Sequence, residues 1–189
     1  MQSFDIDIDL ADRNTLLEHI QYTDAVLLDG RRHPSGIYVT AVPQNPITGH
    51  CSLDYKKAED LGYFKLDILN QSIYKMVKSP EHLEELLSKP MNWSRLLDKN
   101  FVEKLVHIGN YADLIRRLPE PITCIEHLAM FLAIIRPGKK HLQGKTWKEV
   151  EETIWDRDST AAYSFRKSHS LAYALLIMLH CALLEEQKL

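Results

Sequence analysis

FDIDIDL, at residues 4–10, alternates apolar and acidic side chains without a break. Alternation with a period of two is typical of a half-buried β-strand, so the apolar residues would face a core and Asp5, Asp7 and Asp9 the opposite side. Carboxylates two positions apart on a strand lie roughly 7 Å from each other and repel unless a positive charge lies between them. A divalent cation such as Mg2+ can supply that charge, because it binds carboxylate oxygen. The alternative is an edge strand whose acidic face meets only water.

Length and composition bound the class of protein. A chain of 189 residues, 45% of them hydrophobic, can form one core with or without a small second lobe. The formal net charge of −3 argues against general coating of nucleic acid. Cys51, Cys124 and Cys181 lack metal-ligand spacing and are typical of reduced thiols, which predicts a cytoplasmic protein. The acidic start indicates no signal peptide, and the apolar run 171–184 is too short for a membrane span, so no membrane partner is expected.

The hydrophobic pattern changes from strand-like to helix-like near position 70, which predicts an α+β fold. Residues 1–70 are predicted as a small sheet with the acidic strands, and residues 71–189 as a helical region packed as one compact unit. Further sheet elements are predicted as strands at 25–28, 37–42, 52–55 and 62–68, helices at 11–20 and 57–60, and an exposed basic turn at 31–36. The predicted helices beyond them cover 69–77, 81–87, 93–97, 101–108, 112–118, 122–135, 146–155 and 168–186, with a typical helix start at Ser79-Pro80.

A third carboxylate follows the same alternation later in the chain. Within residues 64–68, Lys65 and Asp67 fall on one face of a predicted strand and the apolar residues on the other. If this strand lies beside the first, Asp67 joins Asp7 and Asp9 around one or two cations. Two-metal phosphoryl transfer needs such carboxylates, since metals ~3.5–4 Å apart activate the attacking oxygen and stabilise the leaving oxygen. The alternative is a nearly neutral Lys65–Asp67 pair on an exposed face.

Two basic segments can bind phosphate. Residues 136–140 form a basic loop after an apolar helix, and residues 165–170 lead into the N-terminus of the last helix. A helix N-terminus offers N–H groups and a partial positive charge that attract anions. Tyr173, near that end, can stack on a base or pack in the core. For both segments the alternative is an ordinary helix end with solvated basic residues.

Five segments of the chain follow, in order, patterns that occur together in one enzyme family. Residues 5–10, DIDIDL, resemble Pro-Asp-φ-Asp-φ-Asp-Phe, and a similar arginine, Arg13, follows them. Residues 33–39, HPSGIYV, resemble His-Ala-Gly-Gly-Val-Val-Ile. Residues 62–69, GYFKLDIL, resemble Gly-Leu-Val-Lys-Phe-Asp-Phe-Leu, which carries the third catalytic aspartate of that family.

The last two segments lie in the helical half. Residues 113–118 followed by 133–138, AIIRPG, resemble a fingers segment that ends in Phe-Arg-Pro-Gly. Residues 165–175, FRKSHSLAYAL, resemble Phe-Asn-Lys-Ser-His-Ser-Ala-Ala-Tyr-Ala-Leu. Together the five segments resemble the palm and fingers of the bacterial replicative (C-family) DNA polymerase, the alpha subunit of DNA polymerase III.

The resemblance implies metal-dependent nucleotide or nucleic-acid binding with nucleotidyl transfer in DNA replication. It implies Mg2+ or Mn2+ as cofactor and Asp7, Asp9 and Asp67 as catalytic metal ligands. With the basic segments, it predicts a set of nucleotide- or phosphate-binding residues: Lys65, Arg136, Lys139, Arg166, Lys167, Ser168 and His169. Substrate contacts are expected from His33, Ser35 and Tyr173.

Departures from the family pattern imply a reduced copy. The sequence begins at the acidic strand, without the Gly-Ser motif that holds the incoming triphosphate, without the PHP domain and without a thumb. Its fingers are shortened between Arg136 and Phe165. Such a copy is expected of a phage or mobile-element protein in the host cytoplasm. The alternative is a catalytically inactive remnant that binds nucleic acid, or a protein of the host replisome, as a regulator.

Overall fold

The computed structural model describes residues 6–156 and 165–187. These residues form an α+β structure, with a small mixed four-stranded sheet and several helices, as predicted. The chain divides into two compact units, Met1–Met76 and Val77–Leu189, where the sequence predicted a boundary at residue 70. The first unit holds the sheet and the second is helical.

The sheet of the first unit has the strand order β1-β4-β3-β2. Its strands are β1 (Ile6–Leu10), β2 (Thr23–Val26), β3 (Arg32–Tyr38) and β4 (Leu66–Asn70). β1 and β4 are parallel, with Asp7 opposite Asp67, and β3 is antiparallel to both β4 and β2. The first acidic strand therefore lies beside the strand of the third carboxylate, although Phe4 and Asp5 of the predicted strand lie outside the described residues.

One face of the sheet is apolar and packs against α1 (Arg13–Leu17). The buried centre of this cluster consists of Leu17, Ile37 and Ile68, surrounded by Ile8, Leu10, Leu16, Ile20 and Leu66. α1 begins where the Asp12 carboxylate accepts a hydrogen bond from the Asn14 N–H at 3.0 Å, a common N-cap arrangement. Because side chains alternate along a strand, the acidic residues of β1 and β4 lie on the other face.

A second small core lies on the acidic side of the sheet. It contains Ala25, Tyr38, Cys51 and Ala58, and Ala58 belongs to α2 (Tyr55–Asp60). Tyr38 lies two residues from the register partner of Asp67, so its side chain is on the same face as that carboxylate. α2 confirms the helical turn predicted at 57–60.

Several sequence predictions for this unit are wrong, among them the strand predicted at 37–42, because β3 covers Arg32–Tyr38. The basic segment is not a turn, because Arg32 and the residues after it form β3, which ends at Tyr38. The register of β2 and β3 shifts between Asp24 and Val26, and such an irregularity accommodates Pro34, which has no N–H to pair. The strand predicted at 52–55 is replaced by isolated bridges at Cys51 and Asp54 and by the start of α2.

The described part of the second unit is built from helices. They are α3 (Pro80–Ser88), α4 (Lys99–Val102), α5 (Ala112–Ile115), α6 (Ile125–Ile134), α7 (Trp147–Glu151) and α8 (Lys167–Glu186), with 3-10 helices at Trp93–Leu97, Gly109–Tyr111 and Pro137–Leu142. α6 and α8 pack along each other, and Phe131 and Ile177 are fully buried between them and their neighbours. The same core includes Trp147 of α7.

Local signals explain where several helices begin and end. Ser79 caps α3 by accepting a hydrogen bond from the His82 N–H at 3.2 Å, and Pro80 occupies its first turn, which confirms the predicted start. The helix predicted at 101–108 is too long, because α4 ends at Val102 and His107 has φ 60°, which an α-helix does not allow. The helix predicted at 69–77 is a 3-10 helix at Ser72–Met76 that follows β4.

α8 has the length and composition of a membrane-crossing helix, with 20 residues and a mean hydropathy of 1.3 in its most apolar window. Core helices have the same composition, and Ala174 and Ile177 of α8 are buried in the core of the second unit. The helix is longer than the apolar run predicted from the sequence. It is weak evidence for a membrane, and the expected absence of a membrane partner stays a prediction.

Candidate functional site

Asp67 lies at the centre of the acidic face, on the strand between β1 and β3. It is 7% exposed, and its Cα partners are Asp7 on β1 and Gly36 on β3. Adjacent strands lie about 4.8 Å apart, so Asp7 and Asp67 are neighbours on this face. Asp9 follows two residues after Asp7 on the same face. The structure therefore brings the three predicted carboxylates to one face of the sheet.

Both carboxylate oxygens of Asp67 accept hydrogen bonds. Ser35 Oγ donates to Oδ1 at 2.6 Å, and Lys65 Nζ donates to Oδ2. Burial raises the pKa of Asp67, but the hydrogen bonds from Lys65 and Ser35 outweigh it and hold the pKa below its usual range. Asp67 is therefore ionised at neutral pH, and the Lys65 ammonium compensates its charge.

His33 also lies beside this pair, and its charge is a further, smaller cause of the lowered pKa of Asp67. Its Nδ1 is 3.6 Å from Asp67 Oδ1, but it accepts the Gly36 N–H at 2.8 Å. A backbone N–H can only donate, so Nδ1 is the acceptor of this hydrogen bond. The ring also packs edge-on against Tyr55, with centroids 5.9 Å apart. Substrate contacts by His33 and Ser35 stay a prediction.

Gly36 allows Lys65 and His33 to approach the strand closely. A Cβ atom at this position would lie 2.8 Å from Lys65 Cδ and 2.9 Å from His33 Nδ1. Real Cβ contacts are essentially never this short. The absence of a side chain at Gly36 is therefore required for the observed positions of both neighbours.

Asp9 has the opposite electrostatic environment. Burial raises the pKa of Asp9, the hydrogen bond with Gln71 lowers it, and the charge of Asp7 raises it again, so that the net pKa lies above its usual range. Burial and the charge of Asp9 in turn raise the pKa of Tyr74. Gln71 and Tyr74 were not predicted as site residues. Their position directly after the strand that carries Asp67 is the feature of the sequence that could have indicated them.

Cation binding by Asp7, Asp9 and Asp67 stays a prediction. One Mg2+ is commonly held by one or two carboxylates and several waters. Across residues 6–156 and 165–187, no group of three or more histidine, cysteine, aspartate or glutamate side chains is arranged to hold a metal ion. Asp67 as a third metal ligand stays a prediction, since Lys65 and Ser35 bind both of its oxygens.

Arg13 ties α1 to the two central strands. Its Nη1 donates to the Pro34 carbonyl, and its backbone N–H donates to Asn70 Oδ1 at 2.6 Å. The residue is 8% exposed, and within the described residues its Nε and Nη2 have no hydrogen-bond partner. Burying such donors costs free energy, so Arg13 fixes the position of α1 without full compensation of its polar atoms.

In the second unit, two predicted residues meet around an aromatic ring. The Arg136 guanidinium carbon lies 4.6 Å from the centroid of the Phe165 ring. Phe165 stacks on Tyr173, with centroids 6.2 Å apart and planes at 18°, and Tyr173 contacts His107 edge-on at 4.6 Å. Phe165 and Tyr173 also pack against the core, so Tyr173 has the core role that the sequence left open. Base stacking by Tyr173 stays a prediction.

The other predicted phosphate-binding residues of this unit have local contacts. Lys139 Nζ donates to the carbonyls of Thr153 at 3.0 Å and Asp156 at 3.1 Å, beyond the end of α7. Lys167 Nζ lies 5.9 Å from the centroid of the Trp155 ring. Arg166 and Ser168 are exposed and His169 is half-buried at the start of α8. Phosphate binding by these residues is not tested by these contacts and stays a prediction.

No family model, curated protein or solved structure matches this chain. The likeness to the C-family polymerase therefore stays a resemblance of segments. Function has to follow from the geometry of the acidic face.

Proposed function

We propose that the sheet unit binds a divalent cation, Mg2+ or Mn2+, together with a nucleotide or nucleic acid, and that its reaction is nucleotidyl transfer of the DNA polymerase III alpha type. One observation carries the proposal: the parallel register of β1 and β4 sets Asp7 opposite Asp67, with Asp9 on the same face. Phosphate-bound Mg2+ in proteins is held by one or two carboxylates of this kind.

The electrostatics of Asp9 support a cation at this place. Burial and the charge of Asp7 raise the pKa of Asp9, so ionised Asp9 costs folding free energy when no cation is near. A bound cation would relieve this repulsion and would stabilise the charge that develops on a phosphoryl group. In this proposal Asp7 and Asp9 hold the cation, and Asp67 contributes the third carboxylate of the face.

The second unit offers groups for phosphate and base contacts. Arg136, Arg166 and Lys167 are basic residues, and the Phe165 ring contacts both the Arg136 guanidinium and the Tyr173 ring. Arginine and lysine contacts to phosphate make the affinity for nucleic acid fall with increasing salt. Phosphate binding is therefore proposed for the second unit on its own residues, and a fall in affinity with salt would support nucleic acid as its ligand.

A second function, a catalytically inactive protein that binds nucleic acid or a replication protein as a regulator, is favoured by one observation. Lys65 and Ser35 bind both oxygens of Asp67, so that this carboxylate is already compensated. Such a protein would keep the acidic face as a binding surface and lack transfer activity.

Calorimetric titration with Mn2+ tests the cation site. The wild type should bind, and Asp7→Asn and Asp9→Asn should each weaken binding by at least about tenfold, since even outer-shell changes cost 10- to 100-fold. Asp60→Asn, an exposed carboxylate at the end of α2, is the matched control and should bind as the wild type does. No binding by the wild type, or equal binding by all four proteins, would overturn the proposal.

Primer extension with labelled deoxynucleotides then separates the two functions. Extension that requires Mg2+ or Mn2+ and is lost in Asp9→Asn supports nucleotidyl transfer. Silence in this assay, with cation binding intact, supports the regulator.

A further inference from the structure

Arg13 is a buried positive charge whose side chain has a neutral hydrogen-bond partner. The residue is 8% exposed, and its Nη1 donates to the Pro34 carbonyl. Among residues 6–156 and 165–187, its Nε and Nη2 have no hydrogen-bond partner. Arginine keeps its charge in proteins and is almost never fully buried unless it is paired. The two unpaired nitrogens therefore require a physical explanation.

The two unpaired nitrogens lie on the same edge of the planar guanidinium group. The N–H bonds of Nε and Nη2 point in nearly the same direction, so this edge is a fork of two parallel donors. Such a fork matches the two oxygens of a carboxylate or a phosphate group. Both nitrogens are shielded from solvent. A water molecule could accept a hydrogen bond there, but it would leave the buried charge uncompensated.

The fork is held in position at both ends of the residue. The backbone N–H of Arg13 donates to Asn70 Oδ1 at 2.6 Å, and Nη1 is bound to the Pro34 carbonyl on β3. Donors that are fixed before a ligand arrives lower the cost of ordering them on binding. Pro34 and Asn70 are both exposed, so Arg13 lies just below the surface, where a small anion can reach it by displacing side chains.

We propose that the Nε–Nη2 edge of Arg13 is a binding site for one oxyanion group, the carboxylate or phosphate of a small ligand. Two oxygens of that group accept the two parallel N–H bonds, and its negative charge compensates the buried guanidinium. The inference goes beyond the proposed function, because it needs neither a cation nor a reaction at the acidic face.

Nuclear magnetic resonance of the full chain tests the site directly, through the Arg13 Nε–H signal assigned from the backbone of the same residue. The protein is titrated in chelator with acetate, with inorganic phosphate and, at equal ionic strength, with chloride. Chloride has no pair of oxygens for the fork, so acetate or phosphate should shift the signal saturably and chloride should not. A shift by acetate alone assigns a carboxylate ligand, by phosphate alone a phosphate ligand, and by both an oxyanion of either kind. No shift by either oxyanion, or an equal shift by chloride, would overturn the inference.

Arg13→Lys tests whether the fork, rather than the charge, binds the anion. Lysine keeps a positive charge but lacks two parallel donors, so the affinity for the oxyanion should fall about tenfold or more, as expected for the loss of one hydrogen bond to a charged group. The affinity is measured from the increase in stability that the anion gives by mass action, followed by amide exchange of β1 and β4.

Arg31→Lys is the matched control, because Arg31 is an exposed arginine of the same unit that is paired with Asp29. It should bind the oxyanion as the wild type does. An affinity unchanged in folded Arg13→Lys, or reduced equally in Arg31→Lys, would overturn the site at Arg13. If Arg13→Lys does not fold, the titration of the wild-type Arg13 Nε–H signal decides alone.

Discussion

Replacing Gly36 by alanine should disrupt the network around Asp67. The new Cβ atom would lie 2.8 Å from Lys65 Cδ and 2.9 Å from His33 Nδ1, so both side chains or the strand must shift. Overpacking of this kind costs about 1–3 kcal/mol. Alanine is better than glycine within a strand by roughly 0.5–1 kcal/mol, which offsets part of that cost. We expect a net decrease of about 1–2 kcal/mol in the free energy of unfolding of the sheet unit.

The assay has to report on the sheet unit itself. The three tryptophans, Trp93, Trp147 and Trp155, all belong to the second unit, so their fluorescence follows that unit. Amide hydrogen exchange of β3 and β4, measured by nuclear magnetic resonance, reports the opening of the sheet residue by residue. Protection at Ile37 and Ile68, both buried, should fall in the Gly36→Ala variant.

Gly138→Ala is the matched control, because a Cβ atom there would meet nothing within 4 Å. A surface change of this kind stays within about 0.5 kcal/mol of the wild type. If Gly36→Ala also stayed within that range, with unchanged protection of β3 and β4, then Lys65 and His33 would not approach Gly36 as described. The reasoning about the Asp67 network would then be refuted.

Three further changes test the electrostatics and the helical core. The pKa of Asp9 is raised from 3.8 in the folded protein, so ionisation of Asp9 costs stability as pH rises through its folded-state pKa. Asp9→Asn should therefore stabilise the cation-free protein at neutral pH. Unchanged hydrogen-exchange protection of β1 would contradict this. Hydrogen bonds, first that from Lys78, lower the pKa of Glu186 to about 2. Glu186→Gln should therefore be less stable than the wild type above pH 4.5, and the difference should vanish as pH falls to about 2. A stability difference that stays constant with pH in acid denaturation would refute this. Ser170→Ala removes the buried hydrogen bond to the Ala129 carbonyl and should cost about 1 kcal/mol by tryptophan fluorescence in urea, whereas the exposed Ser168→Ala should cost less than half of that.

Local patterns predicted much of the fold. The alternation of β1 and β4 predicted that Ile8, Leu10, Leu66 and Ile68 face the apolar core, whereas Ile6 and Phe64, predicted in the same way, are exposed. Ser79 caps the helix that it was expected to start. α8 lies within a residue of its predicted start, because its long apolar face has to be buried in the second unit. In each of these cases the decisive interaction lies within a few residues of the signal.

The failures arose where distant residues decide the structure. A segment with Pro34 and Gly36 resembles a turn, yet pairing with β2 and β4 makes it a strand, and those partners are not adjacent in sequence. β1 and β4 pair in parallel, and the sequence predicts that they are neighbours only on the hypothesis that their carboxylates share a face. The sequence likewise left two roles for Lys65, and only the position of its side chain over Gly36 favours the pair with Asp67.

The acidic face therefore contains carboxylates in opposite electrostatic environments. At Asp67 the hydrogen bonds from Lys65 and Ser35 outweigh burial, so the ionised form is the stable one and holds β3 and β4 together. At Asp9 burial and the charge of Asp7 disfavour the ionised form, so the fold carries a cost there when no cation is bound. Carboxylates whose pKa values are shifted in opposite directions within one site commonly have different tasks. On this argument Asp67 is part of the framework of the site, and Asp9, whose ionised form is disfavoured, is the carboxylate that the cation of the proposed function would stabilise.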